Sequence, residues 1–222
     1  MIFDWAFALE ILPQLARALA VTVQATLGGM LIALTLGLLL AIARRSRWPL
    51  VRAPVAGFVE FVRSTPLLVQ IYFLFYGLPA LGVQLSAFTS GVLALGLHYG
   101  TYCSEVYRAG LDGVSRGQWE AAAALNMNRM QTYIRIVIPQ AIPPVVPALG
   151  NYLIAMFKDT PLLSAITVLE LLQSAKMIGA ETFRYTEPLT LVGMLFLAIS
   201  LVAAAGIRAL ERRLAVALGR TG

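Results

Sequence analysis

Five stretches of this chain, roughly residues 18–43, 55–79, 88–108, 141–166 and 188–210, stay apolar for longer than the about 20 residues a helix needs to cross a bilayer core about 30 Å thick. That pattern leaves little choice of fold. The expectation is an all-α polytopic membrane protein with about five transmembrane helices. Composition agrees, since 59% of the 222 residues are hydrophobic, 13% are charged and the mean hydropathy is +0.79, values foreign to a soluble domain. The second and fourth stretches are the least uniform, because each carries a charged residue followed by Thr-Pro.

Several chemistries fall away at once. A single cysteine, Cys103, forms no internal disulfide, and with the single histidine, His98, it builds no N/S metal site. A formal charge of +6 and a pI near 9.8 invite a nucleic-acid reading, but the basic residues flank apolar runs instead of clustering on a soluble domain. The chain is therefore expected to meet membrane lipid and no nucleic acid. Asp4 and Glu10 stand where a cleavable signal would be basic, so the N-terminus reads as a retained first span.

Orientation follows from arginine placement, because basic residues beside spans favour the cytoplasm. Arg44, Arg45, Arg47 and Arg52 follow the first stretch, Arg108, Arg116, Arg129 and Arg135 the third, and Arg208, Arg212, Arg213 and Arg220 the fifth. The loop between the second and third stretches has none. The N-terminus (residues 1–17) is then expected outside, in the periplasm, the transmembrane domain over 18–211, and a tail at 212–222 in the cytoplasm. Small residues let helix backbones approach closely in lipid. Gly29, Ala33, Gly37 and Ala41 form such a ridge, as do Gly96, Gly100 and Ser104; packing within one subunit is the simple reading and a dimer contact the alternative.

One segment does not suit lipid. "RGQWEAAAALNMNRMQTYIRIVIPQ", residues 116–140, is mixed polar and apolar. Ser115 and Gln118 have the spacing of a capping box, which predicts a helix over about 116–125. Glu120 lies in its first turns, Trp119, Ala122 and Ala123 share a face, and Asn126 suits the left-handed residue that ends a helix. A second helix is predicted from a cap at Asn128, with Met130, Tyr133, Ile134, Val137 and Ile138 on one apolar stripe. Pro139 is expected to stop or bend it. From the residues alone, an amphipathic pair lying on lipid and a docking element for a cytoplasmic partner are both open.

The spacing here carries a resemblance. Glu120-Ala121-Ala122, three residues, Asn126, nine residues, Ile136, one residue, Ile138 and Pro139 resembles the EAA motif of the inner-membrane permease subunits of bacterial ABC importers, whose pattern is Glu-Ala-Ala, three residues, Gly, nine residues, Ile, one residue, Leu-Pro. The departures are Asn126 for glycine and Ile138 for leucine; asparagine is the next-best residue for positive φ. "EFVRSTPLLVQIYF" (60–73), "EVYRAGLDGVSRGQWEAA" (105–122) and "PALGNYLIAMFKDTPLLSAI" (147–166) are similar to the subfamily serving histidine, glutamine, arginine and related substrates, and the N-terminal portion is somewhat similar to permeases for ectoine. The resemblance implies a type I importer permease fold in the bacterial inner membrane. It implies a second permease subunit, the same or homologous, two ATPase subunits holding ATP and Mg, and a solute-binding protein outside. Residues 112–139 would be the coupling segment, with Trp119, Glu120, Ala121, Ala122, Asn126, Ile136 and Pro139 meeting the ATPase. No cofactor and no catalytic residue is expected on this chain. Its two lysines, Lys158 and Lys176, precede Asp159 and Met177, so no phosphate loop of the form G-x-x-x-x-G-K-[ST] exists.

For the pathway or gate, charged groups at membrane depth are costly and point to the bundle interior. Glu60 with Arg63 and Glu105 with Arg108 are spaced three apart, as for helical ion pairs. His98, Thr101, Tyr102 and Glu105 share a face. Arg63-Ser64-Thr65-Pro66-Leu67-Leu68 is echoed by Lys158-Asp159-Thr160-Pro161-Leu162-Leu163, where threonine as cap and proline at the first helical position predict helix restarts at membrane depth. Arg63, Thr65, His98, Thr101, Glu105, Arg108, Lys158, Asp159 and Thr160 are thus the pathway candidates. For each, a structural role stands beside the transport one: ion pair, kink, or satisfied interior side chain. Two other functions compete with the importer. An ion-gradient-driven secondary transporter is expected to show internal repeats and a coupling carboxylate, and five spans halve badly. A structural membrane protein has no need of the EAA spacing.

Overall fold

The structure, a computed structural model, describes residues 3–217, and their regular elements are all helical. Nine α-helices follow in order: α1 Trp5–Arg44, α2 Pro49–Arg63, α3 Leu67–Tyr72, α4 Ala87–Asp112, α5 Arg116–Ala124, α6 Arg129–Thr132, α7 Ile138–Asp159, α8 Leu171–Thr182 and α9 Thr186–Ala217. α3 runs on through a π-turn (Phe73–Gly77) and a 3-10 turn (Leu78–Leu81), α6 joins α7 through a π-turn (Tyr133–Val137), and α7 tightens into a 3-10 helix at Thr160–Ile166. Part of the expected tail, including Arg220, lies outside the described residues.

The centre of the bundle is a seam between α1 and α4. A Cβ on Gly37 would stand 2.7 Å from Cβ of Cys103 and 2.8 Å from the Gly100 carbonyl, and one on Gly96 would stand 2.6 Å from Ile32. Gly29 abuts Leu95 and Gly96 in the same way. The two predicted ridges therefore meet each other within one subunit. The helices run parallel and in register: Arg45 and Asp112 are 67 residues apart and bonded, and Gly29–Gly96 and Gly37–Cys103 keep that offset within one residue. Such approach is how lipid-embedded helices gain packing energy without a hydrophobic drive.

Helix α1 begins at Trp5, not near residue 18, and its 40 residues make about 60 Å of helix. Residues 5–17 are thus part of the bundle and not a separate segment. Asp4 starts the helix, its carboxylate accepting from the Ala6 and Phe7 amides at 2.9 and 3.2 Å. Ala8, Ile11, Leu15 and Ala18 then form a buried row, the first three packed on Leu171, Ala175 and Ile178 of α8 and Leu191 of α9.

Among the described residues three helices are long and apolar enough to cross a membrane: α1, the arm Arg129–Ile166, and Thr186–Leu214 of α9. A fourth is added if α2 and α3, bent by 105°, count as one broken span. The expected five is not met, and the shortfall lies at residues 88–108. With 26 residues, α4 is about 39 Å long, yet glycines, His98, Tyr99, Thr101 and Tyr102 dilute its hydropathy. It faces other helices more than lipid, with Ala94, Leu95, Thr101, Cys103 and Ser104 fully buried.

Both Thr-Pro sites differ from expectation. At the α2–α3 bend Pro66 is the cap, and the Thr65 hydroxyl donates backwards to the Val62 carbonyl at 3.1 Å. Thr160 does the same, donating to Phe157 at 2.7 Å, and there the helix narrows without a break. Threonine closes the turn before it in each case. Pro139 does not end its helix either. A proline ring collides with the carbonyl four residues back in a regular α-helix, which here is that of Arg135, and the wider π-turn containing Arg135 removes the collision.

Two stability tests follow from this packing. Gly37→Ala is expected to cost about 1–3 kcal/mol by overpacking the seam, read as a lower thermal midpoint in detergent, whereas Gly57→Ala, with nothing within 4 Å of its Cβ, costs nothing. At the other end, Arg184 lies 3.2 Å from Asp4 and 2.8 Å from Glu187. The Phe7 amide, and after it Arg184, hold the Asp4 carboxyl below its usual pKa of 3.8. A depressed carboxylate adds stability that is complete above pH 3.8 and disappears as pH falls through the lower folded value. The midpoint gap between wild type and Asp4→Asn should therefore close on acidification below pH 3.8.

Candidate functional site

Two polar regions stand out against the apolar bundle. The first is the stretch between α4 and α7. Helix α5 ends in a Schellman turn: Asn126 has φ +52°, the Met127 amide donates to Ala122 at 3.0 Å and the Asn126 amide to Ala123 at 2.9 Å. The left-handed residue is where the EAA spacing puts it. α6 opens with a capping box, Gln131 N–H to Asn128 Oδ1 at 2.9 Å and Asn128 N–H to Gln131 Oε1 at 3.0 Å. The capping box expected at Ser115 and Gln118 is not formed, because the Gln118 amide oxygen accepts from Gln140 at 3.2 Å instead.

The segment is fixed by its inner side. Ala122 is buried, Trp119 meets Tyr133 edge-on at 5.3 Å, and both aromatics pack on the cluster of Val114, Val137 and Ala141. Its outer side presents Ala121 and Glu120, the latter bonded to Arg116 at 3.0 Å, with Leu125 and Met130 largely exposed. Ile136 and Pro139 are half-buried. The single apolar stripe expected on the second helix is split by the π-turn. Its extra residue puts Val137 on the buried side with Thr132, while Met130, Ile134 and Ile138 stay exposed.

The second region joins the end of α1 with α2, α3, α4 and α7. Glu105 accepts from Arg44 at 2.5 Å, from Arg108 at 2.9 Å and from Arg63 at 3.4 Å; Asp112 accepts from Arg45 and, at 3.1 Å, from Arg108. Four guanidinium groups thus share two carboxylates across three helices. The Glu105–Arg108 pair forms as spaced, but Glu60–Arg63 does not: Arg63 turns to Glu105 and lies 5.2 Å over the Tyr102 ring, leaving Glu60 exposed.

A glutamine that sequence reasoning passed over holds the α2–α3 bend. Buried Gln70 donates from Nε2 to the Val62 carbonyl at 2.8 Å, the Thr65 carbonyl at 3.1 Å and the Thr65 hydroxyl at 2.8 Å. With its nitrogen so used, its oxygen is the acceptor for His98 Nδ1 at 3.2 Å, which places the proton on that ring nitrogen. His98 is thereby a support for the bend. The Thr101 and Thr160 hydroxyls return to their own helices, at His98 O and Phe157 O, and both residues are fully buried in this arrangement. Asp159 pairs with no lysine; it accepts from the Tyr99 hydroxyl at 2.6 Å, while Lys158 is exposed. Tyr99, Tyr102 and Tyr152 have ring centroids 5.7–6.3 Å apart, an aromatic band that no spacing rule announced. Among the described residues no group of three His, Cys, Asp or Glu is placed to hold a metal.

A helical bundle with several membrane-crossing helices, one interrupted span and a short polar helix pair between α4 and α7 defines a polytopic membrane protein. Residues 33–216 match the family described as the binding-protein-dependent transport system inner membrane component, and the chain belongs to that family, the permease subunits of ABC importers. It is 46% identical to a probable amino-acid ABC transporter permease of Sinorhizobium fredii, over 94% of this chain and 90% of that one. It is 32% identical to an arginine transport system permease of Bacillus subtilis, over 96% and 98%. It is also similar to the crystal structure of an amino acid ABC transporter with histidines, with a TM-score of 0.91, 32% identity, and coverage of 96% of this chain and 100% of that chain.

Glu105→Gln removes the carboxylate from Arg44 and Arg63 and leaves Arg108 with Asp112 alone. It is expected to cost about 1–2 kcal/mol, between the values for exposed and buried pairs, and to lower the thermal midpoint. Arg116→Gln, whose side chain is 92% exposed, should change it by less than about 0.5 kcal/mol.

Proposed function

We propose that this chain is the membrane permease subunit of an importer for polar amino acids, working by alternating access and driven by ATP hydrolysis on a separate chain. The observation that carries the reading is the α5–α6 unit. A helix of nine residues, anchored by Trp119 and Ala122 and ended sharply at Asn126, offers Glu120 and Ala121 outward, in a chain whose family moves solutes delivered by binding proteins. The substrate class is supported by relatives named for amino acids and arginine. Nothing in the comparisons favours ectoine or an ion gradient.

In this reading residues 112–139 face the cytoplasm and receive the ATPase, with the N-terminus outside and the C-terminus inside. A second permease subunit completes the pathway, and an external binding protein delivers the solute. ATP and Mg belong to the ATPase partner. The transport role of the polar residues narrows to Arg63, Glu105 and Arg108 around Tyr102, with Asp159 and Lys158 on α7. Arginine placement supports the orientation, and the offset of Glu120 from the buried face of α5 supports the docking role. Glu120→Arg reverses the charge at an exposed position without touching the packed side. The variant is expected to insert normally and to lose its ATPase from the purified complex, measured by subunit stoichiometry; full association would remove the docking role.

A further inference from the structure

We infer that a continuous groove running from Arg45 and Arg129 into the bilayer between α1, α4 and the α6–α7 arm binds an anionic phospholipid of the cytoplasmic leaflet. The inference rests on the orientation proposed above.

Three hollows make up the groove, and each shares residues with the next. The first, about 490 Å³, lies between Arg45, Arg129, Trp119 and Tyr133. The second, about 550 Å³, again has Arg45 and Tyr133 in its wall and adds Ile42 and Leu111. The third, about 280 Å³, keeps Leu111 and is otherwise apolar but for the edge of Tyr107. Every wall moves the same way along its helix: Arg45, Ile42 and Leu38 on α1, Leu111 and Tyr107 on α4, Tyr133, Ile138 and Ile142 on the arm. Each step leads from a helix end into the span. The groove is therefore cationic and aromatic at its mouth and oily along its length, which is the polarity of a phospholipid lying beside a helix.

Charge favours an anionic headgroup. The neighbouring cluster sets Arg44, Arg45, Arg63 and Arg108 against Glu105 and Asp112, and Arg129 adds a guanidinium with no carboxylate partner among the described residues. That surplus lies where basic pockets between helices bind anionic headgroups, and Trp119 and Tyr133 are of the type that settles at headgroup depth. An acidic protein side chain or a free anion would satisfy the mouth alone. Only an amphiphile accounts for the apolar length beyond it. The lipid would bridge the end of α1 and the α5–α6 unit, tying the moving element to the bilayer.

The test uses the intact complex with its ATPase in phosphatidylcholine vesicles containing photoactivatable phosphatidylglycerol or, in parallel, photoactivatable phosphatidylcholine. The phosphatidylglycerol probe is expected to label peptides from 107–111 and 138–145 in preference to the neutral one. Arg129→Gln should reduce that labelling roughly fivefold, the value of one arginine at a charged surface, while Arg208→Gln on α9, a residue that lines none of the three hollows, leaves it unchanged. Ile142→Trp fills the apolar part without altering charge and should also abolish the preference. Equal labelling by both lipids in the wild-type complex overturns the inference, as does labelling that appears only after the ATPase is stripped, since a protein partner would then occupy the groove. Gly117→Cys, probed with a membrane-impermeant maleimide on right-side-out vesicles, separates the two readings. Reaction from outside defeats the orientation, whereas protection from outside with no lipid preference defeats the groove alone.

Discussion

The parallel contact of α1 with α4 is the constraint on which the remaining arrangement depends. Lipid supplies no hydrophobic drive between helices, so affinity must come from close van der Waals approach, and Gly29, Gly37, Gly96 and Gly100 supply it. Because the two helices hold one offset along their length, the seam brings Arg44 and Arg45 beside Glu105 and Asp112. The ion-pair cluster is therefore a consequence of helix register. Arg63 joins it from α2, so the position of the bent span is set by the same pair of helices.

The α5–α6 unit combines rigidity inside with availability outside. Trp119, Tyr133 and Val137 form a small separate core, and the Asn126 turn leaves no slack between the two helices. The unit is joined to α4 by one short turn and to α7 by one π-turn. In the proposed docking role, displacement at its outer face would be delivered to the two helices that carry Tyr99, Tyr102, Tyr152 and Asp159. Glu105 and Arg108 lie on the same α4 between these places.

Much of this was legible before any coordinates. The all-helical class, the Gly/Ala ridges and the left-handed Asn126 follow from length, spacing and backbone preference, which are local properties, whereas the start of α1 and the number of spans do not. The errors arose where a local rule met a longer-range one. Ser115 and Gln118 fit a capping box, yet Gln118 found a better use with Gln140. Glu60 and Arg63 fit a helical pair, yet Arg63 is drawn to the more buried Glu105. Pro139 reads as a stop only if the helix keeps its pitch, and a π-turn changes it. Helix α4 reads as an ordinary span until its tyrosines, His98 and glycines are seen to face other helices. Gln70 carries no pattern at all, since its role exists only once the bend is known.

That glutamine has a mechanical consequence. The Val62 and Thr65 carbonyls also accept from one amide, that of Gln70, which His98 steadies from α4, so a side chain reinforces the elbow's own backbone bonds. Straightening or deepening it means surrendering together the bonds of two N–H donors that three acceptors share. The angle is therefore held from outside the elbow as well as from within it, by His98 acting through Gln70.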